Sequence, residues 1–312
     1  MMAVARFDSE PPFVHAPVML AEVLAAFAEL GEGVLIDVTA GGAGHSSALL
    51  RALPNVRLIA FDRDPRAVAA SRAALEPFGE RASVEHASFA EVAACLDAHG
   101  ITRVDGILAD LGVSSEQLTD AGRGMSFRNA GPVDMRMDPS RGETARELIE
   151  RLSQEELADT IFELGDERAS RRIARCIKQA LAAERMNDTL DLRRAIVRAV
   201  GPRRVGGVDP ATRTFQALRM AVNGEVPELR ALLTLARQRL RSGGTAAFIS
   251  FHSIEDRAVK RELVGRNEWE PLTKKPQVPS ETEIEQNARS RSAKLRTARR
   301  LPPSGPGEEP PT

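Results

Sequence analysis

Aromatic residues and cysteines are scarce in this sequence. Its 312 residues include no tyrosine, one tryptophan, Trp269, and two cysteines, Cys95 and Cys176. So few aromatic rings argue against extensive base stacking on an aromatic platform. Two cysteines are too few for a disulfide framework or a cysteine-based zinc site, and we expect both to lie in helices as small apolar residues.

Long apolar runs and a strong net charge are also missing. No stretch approaches the roughly 18 uninterrupted apolar residues of a membrane-spanning helix. The first residues, MMAVARFDSEPP, carry acids and no apolar core, which argues against a secretory signal. With 42% hydrophobic and 28% charged residues and a formal net charge of −1, the composition predicts a soluble globular protein of the cytoplasm with no membrane contact.

Positive charge is concentrated in two segments of this nearly neutral chain. Residues 166–220 hold 13 basic and 6 acidic residues, and residues 289–300 hold six basic residues and no acid. Segments of this kind are either solvated helix faces or phosphate-binding surfaces. The sequence leaves both interpretations open.

The most informative pattern lies between residues 34 and 62. An apolar run leads into Gly41-Gly42-Ala43-Gly44, which opens a helix, and a second apolar run ends on Asp62. A strand that leads into glycines brings backbone N–H groups against a ligand at a helix N-terminus. A carboxylate at the tip of the next strand, about 20 residues on, is suited to bind ribose hydroxyls. The pattern predicts a site for a nucleoside-containing cofactor, although a tight turn beside a solvated strand end is the simpler alternative.

The spacing of the glycines bears on which cofactor this is. A dinucleotide fingerprint has a third glycine for close helix–strand packing, whereas His45-Ser46-Ser47 follow Gly44 here. Asp37, inside the first strand, is also unusual for a nicotinamide site. An acid there and a second acid at the end of strand two favour S-adenosylmethionine, which has no pyrophosphate to bind.

Strands and helices alternate over the first third of the chain, which predicts a parallel sheet. The expected strands are Val34–Thr39, Val56–Asp62, Ser83–His86 and Val104–Leu111, and the expected helices are Pro17–Leu30, His45–Ala52, Pro65–Leu75 and Phe89–Ala98. The alternation stops at Gly112–Gly142, which shows neither period. A long segment of this kind inside a compact protein is usually functional or disordered, and its mixed composition favours function.

The remainder of the chain predicts a mostly helical insertion followed by a return to the sheet. Glu143–Val200 has the pattern of successive helices, one of them opened by a capping box from Ser153 to Glu156. The later elements are expected to be a linker at Pro202–Asp209, helices at Thr212–Val222, Pro227–Arg241 and Ser253–Leu263, a turn at Gly243-Gly244, and strands at Thr245–Phe251 and Arg289–Leu301. The Pro/Gly-rich tail is expected to be disordered.

Several long motifs resemble one protein family. From His15 to about Arg300 the sequence is similar to the bacterial 16S ribosomal RNA cytosine-N4 methyltransferases. The motifs are HAPVMLAEVL at His15–Leu24, GHS at Gly44–Ser46, DRDP at Asp62–Pro65, DLGVSS at Asp110–Ser115, RGMSF…GPVDMRMDPSRG at Arg123–Gly142, PATRTFQALR at Pro210–Arg219, SFHSIEDRAVK at Ser250–Lys260 and RSAKLR at Arg291–Arg296. The DMRMDP and SFHSIEDR blocks are too long and chemically unusual to match by chance.

The resemblance implies a class I methyltransferase fold, which is α/β with a doubly wound, mostly parallel sheet and an inserted helical domain. It implies S-adenosylmethionine as cofactor, with contacts at Ala43, Gly44, His45, Asp62, Phe89, Asp110 and Gln117. The family usually has glycine where this chain has Ala43, and commonly at Val38. We therefore expect the loop to sit slightly farther back from the cofactor, without loss of binding.

The resemblance also sets out a domain organisation and a substrate. The methyltransferase domain is expected in residues 1–115 and 210–301, the substrate-recognition insertion in 116–209 and a disordered tail in 302–312. The expected partner is the 16S rRNA of the small ribosomal subunit, where a cytidine of the decoding centre is methylated on N4. Arg203, Arg204 and Arg213 are the candidate RNA contacts.

Asp110, which ends strand four, is the candidate catalytic residue. Cytosine N4 is a weak nucleophile because its lone pair is delocalised into the ring, so an acceptor for one N4–H would help it react. The base must be unstacked to reach the site, and Gly112–Gly142 is suited to close over it. Ser46, Ser114 and Ser253 have no evident base partner, which argues against a nucleophilic triad.

Other assignments stay open at this point. His45 and His252 are each either ligand-binding or structural, and no second histidine lies at ligand spacing, so no metal site is predicted. A nicotinamide-dependent dehydrogenase and a non-catalytic RNA-binding module on the same fold are the alternative functions. The sequence does not settle the oligomeric state, and a homodimer is one alternative.

Overall fold

The computed structural model describes residues 17–202 and 209–302. The strands are β1 Gly33–Asp37, β2 Val56–Asp62, β3 Ala82–His86, β4 Val104–Asp110, β5 Leu240–Ser250, β6 Trp269–Pro271 and β7 Lys294–Arg300. The α-helices are α1 Leu20–Phe27, α2 Gly44–Ala52, α3 Pro65–Leu75, α4 Val92–Ala98, α5 Ser115–Thr119, α6 Ala145–Arg151, α7 Gln154–Gly165, α8 Ser170–Ala182, α9 Thr189–Val200, α10 Thr212–Val222, α11 Glu225–Arg239, α12 Ser253–Leu263 and α13 Glu281–Gln286.

These strands form one sheet in the order β3-β2-β1-β4-β5-β7-β6. Strands β1 to β5 pair in parallel, whereas β7 runs antiparallel to both of its neighbours. The strand order reverses between β1 and β4, and open α/β sheets bind ligands at such a point, outside the carboxyl ends of the strands. The predicted doubly wound, mostly parallel α/β sheet is confirmed.

Successive residues of the central strands pack into two cores on opposite faces of the sheet. Ile36 and Ile59 face a core that α4, α11 and α12 cover. Leu35 and Leu58 face the other core, which α1, α2 and α3 cover. Because both faces are buried, the strands are almost continuously apolar, which is the pattern that identified them in the sequence.

The start of β5 differs from the prediction. The sequence predicts a turn at Gly243-Gly244, but β5 begins before it, at Leu240. Leu240 pairs with Val104, and the register then shifts before Thr245 pairs with Gly106. The glycines therefore lie in an irregularity within the strand. A Cβ on Gly244 would be 2.9 Å from the backbone oxygen of Asp105, so the close approach of β4 excludes a side chain there.

The last strands also correct the sequence-based prediction. The basic strand predicted at Arg289–Leu301 is β7, which is shorter because Ser290–Ser292 form a 3₁₀ turn. Neither β6, with three residues at the edge of the sheet, nor the six-residue α13 was predicted. Elements this short carry no readable period.

Most predicted helices are present, with some changed bounds. The bounds of α3, α10 and α12 agree with the prediction, whereas α1 begins at Leu20 because its N-cap, Met19, is in the left-handed conformation. Helix α4 begins at Val92 rather than Phe89. Cys95 lies in α4 and Cys176 in α8, as predicted. In residues 17–202 and 209–302, no helix is long and apolar enough to cross a bilayer.

Helices α6 to α9 form the predicted helical insertion. The capping box at Ser153 and Glu156 is confirmed, and Thr144 forms another with Glu147. The segment Gly112–Gly142 is not wholly irregular, because it contains α5 and a 3₁₀ turn. The insertion has its own hydrophobic core, to which α6 to α9 contribute alanines, isoleucines and leucines, and the Gly112–Gly142 segment contributes Met125, Met135 and Met137.

Helix α10 joins this third core through Phe215 and Leu218. It therefore packs with the inserted helices although it follows residue 209, where the sequence suggests the domain boundary. The predicted boundaries stay predictions. Residues 203–208, in the predicted linker, and residues 303–312, in the predicted tail, lie outside the described residues.

Gly165, the last residue of α7, allows that helix to contact α10 closely. A Cβ at Gly165 would lie 2.7 Å from the backbone oxygen of Arg213 and 3.2 Å from the Cβ of Ala217. Neither of these neighbours is the flexible end of a long side chain, so the two helices would have to move apart.

We expect Gly165→Ala to lower the free energy of unfolding by about 1–3 kcal/mol, because inserted atoms force packed elements apart. Denaturant-induced unfolding measures the change. Gly31→Ala is the matched control, since nothing lies within 4 Å of a Cβ added there. Equal stabilities of the two variants would contradict the role given to Gly165.

Candidate active site

The carboxyl ends of β1, β2 and β4 open into a cleft with a cavity volume of about 150 Å³. Six of the seven predicted cofactor contacts line it, namely Gly44, His45, Asp62, Phe89, Asp110 and Gln117. The seventh, Ala43, lies within the glycine turn and is fully buried. The structure thus brings together residues that lie up to 73 positions apart, from Gly44 to Gln117, in the sequence.

The glycine turn has the conformation that its sequence indicates. Gly41 and Ala43 both have positive φ, +52° and +58°. This conformation disfavours a Cβ, which explains the family's preference for glycine at the position of Ala43. Gly44 packs against Pro17, whose Cγ would be 2.5 Å from an added Cβ. The turn therefore lies close to the chain that precedes α1.

Asp62 ends β2 and holds the turn in place. Its Oδ2 accepts from the Gly41 N–H at 2.9 Å and its Oδ1 accepts from the Asp64 N–H at 2.8 Å. Burial raises the pKa of Asp62 to about 6, although these two N–H donors act to lower it. The carboxylate keeps lone pairs on both oxygens and lines the cleft, so it can accept hydroxyl donors from a ligand.

Asp37 ends β1 behind the cleft and is almost fully buried. It accepts hydrogen bonds from the Ser46 hydroxyl at 2.6 Å and the Thr39 N–H at 3.1 Å. The Thr39 hydroxyl in turn accepts from the Asp110 N–H at 2.6 Å. Thr39 was not among the predicted residues, because only the pairing of β1 with β4 brings it to Asp110. This network fixes the end of β4.

Asp110 points into the cleft, and its Oδ1 is buried without a hydrogen-bond partner. Burial and the negative charges of Asp37 and Glu255 raise the pKa of Asp110 well above its ordinary value. The Nε2 of His45 donates to the Val18 backbone oxygen at 2.9 Å. Its Nδ1 lies 3.9 Å from the Asp110 carboxylate, which is too far for a hydrogen bond. Asp110 therefore lines the cleft and keeps one oxygen, Oδ1, without a donor among the described residues.

Gln117 is bound to the β2–α3 turn. Its amide accepts from the Ser114 N–H and donates to Asp64 at 2.9 Å. Both oxygens of Asp64 also accept from one nitrogen of Arg123, Nη2, at 2.7 and 2.8 Å. Arg123 donates further to the Met137 backbone oxygen. The buried Asp64–Arg123 ion pair therefore links the β2–α3 turn to the Gly112–Gly142 segment.

Residues Arg123–Asp138 run beside the cleft, and we call them the strap. Besides Arg123, Asn223 holds the strap, because its amide donates to the Met135 oxygen and accepts from the Met137 N–H, both at 2.8 Å. Met135 adopts a positive φ of 65°. Asp138 lies 3.4 Å from His86. The strap is thus fixed to the sheet from several sides.

A second, mostly apolar recess of about 60 Å³ adjoins the cleft. Six residues line both cavities, namely Thr39, Arg63, Phe89, Leu111, Gly112 and Met137. Glu225, Ile254 and Glu255 line its far side.

His252 caps α12 and lies beside Glu255, with 3.0 Å between Nε2 and Oε1. With Glu225, these residues bring three ligand atoms within 4.8 Å of one another, which is close enough to hold a metal ion. However, Arg219 donates to both oxygens of Glu225 at 2.6 and 2.8 Å. A cation would have to compete with this guanidinium, so the absence of a metal site stays our prediction.

The two basic segments differ in the structure. Most side chains of β7 are used in ion pairs: Lys294 and Arg296 contact Asp256, and Arg299 contacts Glu29. Arg213 is exposed and donates to the backbone oxygen of Asp166. Arg203 and Arg204, the other candidate RNA contacts, lie outside the described residues.

The sheet order and the contents of the cleft together define a class of protein. A seven-stranded sheet with β7 inserted antiparallel next to β5, a glycine turn after β1 and an acid ending β2 are the features of the class I methyltransferase fold. A dinucleotide-binding site would require a third glycine at the start of α2, where this chain has serines.

The chain belongs to the MraW methylase family, which it matches over residues 12–301. A relative from Sorangium cellulosum (strain So ce56), named Ribosomal RNA small subunit methyltransferase H, is 59% identical over 287 residues, which cover 92% of this chain and 91% of the relative. A relative of the same name from Synechococcus elongatus is 47% identical over 300 residues, which cover 95% and 98%. A solved rRNA methylase from Streptococcus thermophilus aligns at 9% identity over 93% of this chain and 100% of that chain, with a TM-score of 0.45. The resemblance inferred from the motifs is confirmed.

The geometry of Asp62 predicts how binding of an adenosyl ligand depends on pH. Protonation of Asp62, centred at about pH 6, would place a proton opposite one of the backbone N–H groups that donate to it. It would also remove the negative charge that attracts ribose hydroxyls. We expect the dissociation constant of S-adenosylmethionine, measured by calorimetry, to rise as the pH falls through 6, by up to about tenfold per pH unit. Asp62→Asn should bind more weakly and lose this component. A pH-independent affinity of the unmodified protein would contradict the assignment.

Proposed function

We propose that this protein transfers a methyl group from S-adenosylmethionine to N4 of a cytidine in the 16S rRNA of the small ribosomal subunit, in the decoding centre. The observation that carries the proposal is the position of Asp110, a buried carboxylate with an unpartnered oxygen, in the lining of a cleft that also holds the glycine turn and Asp62. The names of the relatives support RNA of the small subunit as the substrate. Such a substrate implies a cytoplasmic enzyme.

The residues of the cleft fit S-adenosylmethionine. Asp62 offers acceptors for ribose hydroxyls, and Phe89 offers an apolar face for the adenine. The carboxylates of Asp62, Asp110 and Glu116 suit a ligand that carries a sulfonium and an ammonium. When bound, the cofactor supplies a methyl group that is already electrophilic, so the protein has mainly to align the nucleophile with it.

Asp110 is suited to accept a hydrogen bond from cytosine N4. Acceptance of one N4–H localises the nitrogen lone pair, and the bond strengthens as positive charge develops on N4 in the transition state. The raised pKa of Asp110 makes it a better proton acceptor once ionised. The Thr39 hydroxyl, which accepts from the Asp110 N–H, keeps the end of β4 in position.

The RNA is expected to bind across the α7–α8 corner. Phe162 is 55% exposed there. Exposed arginines follow it, one in the turn before α8 and three on α8, and none of them has an ion-pair partner in the part of the chain that the structure describes: Arg168, Arg171, Arg172 and Arg175. The corner reaches the cleft edge, because Asp166 contacts the hydroxyl of Ser253 at the start of α12. Unpaired positive charge beside the cleft favours RNA phosphates.

Two other functions have less support. A nicotinamide-dependent dehydrogenase lacks its third glycine in this chain, and the family match is to methylases. A non-catalytic RNA-binding module would not require the acids of the cleft. A homodimer remains compatible with the proposal.

Nucleoside mass spectrometry of small-subunit RNA tests the proposed function. We expect N4-methylcytidine to disappear from the 16S rRNA of a deletion strain and to return with the intact gene. An unchanged content of this nucleoside in the deletion strain would overturn the proposal. Retained cofactor binding without methyl transfer would instead support the non-catalytic alternative.

For Asp110 we expect a loss of rate rather than of cofactor affinity. Asp110→Asn removes the charge and Asp110→Ala removes the contact. Single-turnover methylation at saturating cofactor should slow by about 10²–10³-fold, as for loss of one transition-state contact. Calorimetry of cofactor binding is the control, and it should change much less than the rate. If both variants react at the rate of the unmodified protein, alignment of the nucleophile with the methyl group is the only contribution of the protein to catalysis.

A further inference from the structure

Arg289 is the basic side chain of the cleft that has no assigned role. It lines the cleft on the same wall as Glu116 and Phe251, just before β7. The other arginine of the cleft, Arg63, donates to the Asn223 backbone oxygen. His45 donates to Val18. Among the described residues, no carboxylate forms an ion pair with Arg289 and no acceptor takes a hydrogen bond from its guanidinium.

The backbone fixes Arg289 in this place. The next residue, Ser290, is fully buried, and its hydroxyl donates to the Asn287 oxygen at 2.8 Å. The Asn287 N–H donates in turn to the Glu283 oxygen at 2.7 Å. The side chain of Glu283 accepts from the Met19 N–H, at the start of α1. The turn that carries Arg289 is therefore held against the wall of the cleft.

The charge of Arg289 has no direct partner among the described residues, although Glu116 lies near enough to attract it. Arg289 is partly buried, and burial lowers its pKa below the ordinary value, despite the attraction of Glu116, while Arg128 nearby adds repulsion. Withdrawing a guanidinium from water without a partner is costly, and a bound anion removes that cost. A planar guanidinium also matches the two oxygens of a carboxylate or phosphate.

We propose that Arg289 binds an oxyanion of the bound reactants. Two groups of the proposed reaction have this chemistry, the carboxylate of S-adenosylmethionine and a phosphate next to the target nucleotide, so the inference rests on the proposed function. In either case Arg289 positions a reactant and takes no part in the transfer step.

Calorimetry with two ligands tests the carboxylate. S-adenosylmethionine and its decarboxylated analogue are titrated into the intact protein, Arg289→Gln and Arg289→Lys. If Arg289 binds the carboxylate, Arg289→Gln raises the dissociation constant of S-adenosylmethionine by about ten- to a hundredfold. It leaves the affinity for the analogue unchanged. Arg289→Lys recovers part of the lost affinity, because lysine restores the positive charge but not the planar, two-point donor geometry of the guanidinium.

Steady-state methylation of isolated small subunits tests the phosphate. If Arg289 binds a phosphate, Arg289→Gln raises KM for the subunit about tenfold with little change in kcat. It also lowers the salt dependence of binding by about one counterion. Cofactor affinity then stays that of the unmodified protein.

Arg57→Gln is the control, since Arg57 is exposed near the amino end of β2, at the opposite edge of the sheet. Thermal unfolding of each variant checks that it is folded. The proposal is overturned if Arg289→Gln matches Arg57→Gln in cofactor affinity, in KM and in salt dependence. An intact protein that neither binds S-adenosylmethionine nor methylates RNA would instead disprove the proposed function, so the two failures are distinguishable.

Discussion

The ion pair between Asp64 and Arg123 is the constraint on which the site depends. Both side chains are almost fully buried, and a buried pair is strongly destabilising when only one partner is removed. The Asp64 carboxylate also caps α3 and accepts from Gln117. One carboxylate, two residues after Asp62, thereby joins three parts of the chain that line the cleft. The position of the strap is set by the same group that orders the β2–α3 turn.

The sequence predicts well those elements that local signals define, or strands that are buried on both faces of the sheet. Strand β2 is apolar on both faces and ends at a helix with Asp64 as N-cap and Pro65 as first residue, so local signals alone define its bounds. The start of β5 and the existence of β6 depend instead on pairing with distant strands. Glycines within a strand look like a turn in the sequence. Only the approach of the β4 backbone shows why they are there.

The same distinction applies to the residues of the cleft. Asp62 and Asp110 could be predicted because the carboxyl ends of parallel strands meet at one edge, where α/β sheets bind ligands. Thr39 could not, because its role comes from contacts with both Asp37 and Asp110. For the basic run at residues 289–300, the sequence left open whether the side chains bind phosphate. In the structure its members differ, because Arg296 is bound to Asp256 whereas Arg289 lines the cleft. Charge density along the sequence does not distinguish a paired arginine from an unpaired one.

Helix α10 belongs to two units at once. Phe215 and Leu218 complete the core of the inserted helices, while Arg219 is bonded to Glu225 at the start of α11, which covers the sheet. Asn223, directly after α10, holds the strap. A rotation of the inserted helices would therefore move α10, and with it the strap at the wall of the cleft. A displacement of the distal helices would reach the wall of the cleft both through α10 and through the strap, which Asn223 joins to that helix.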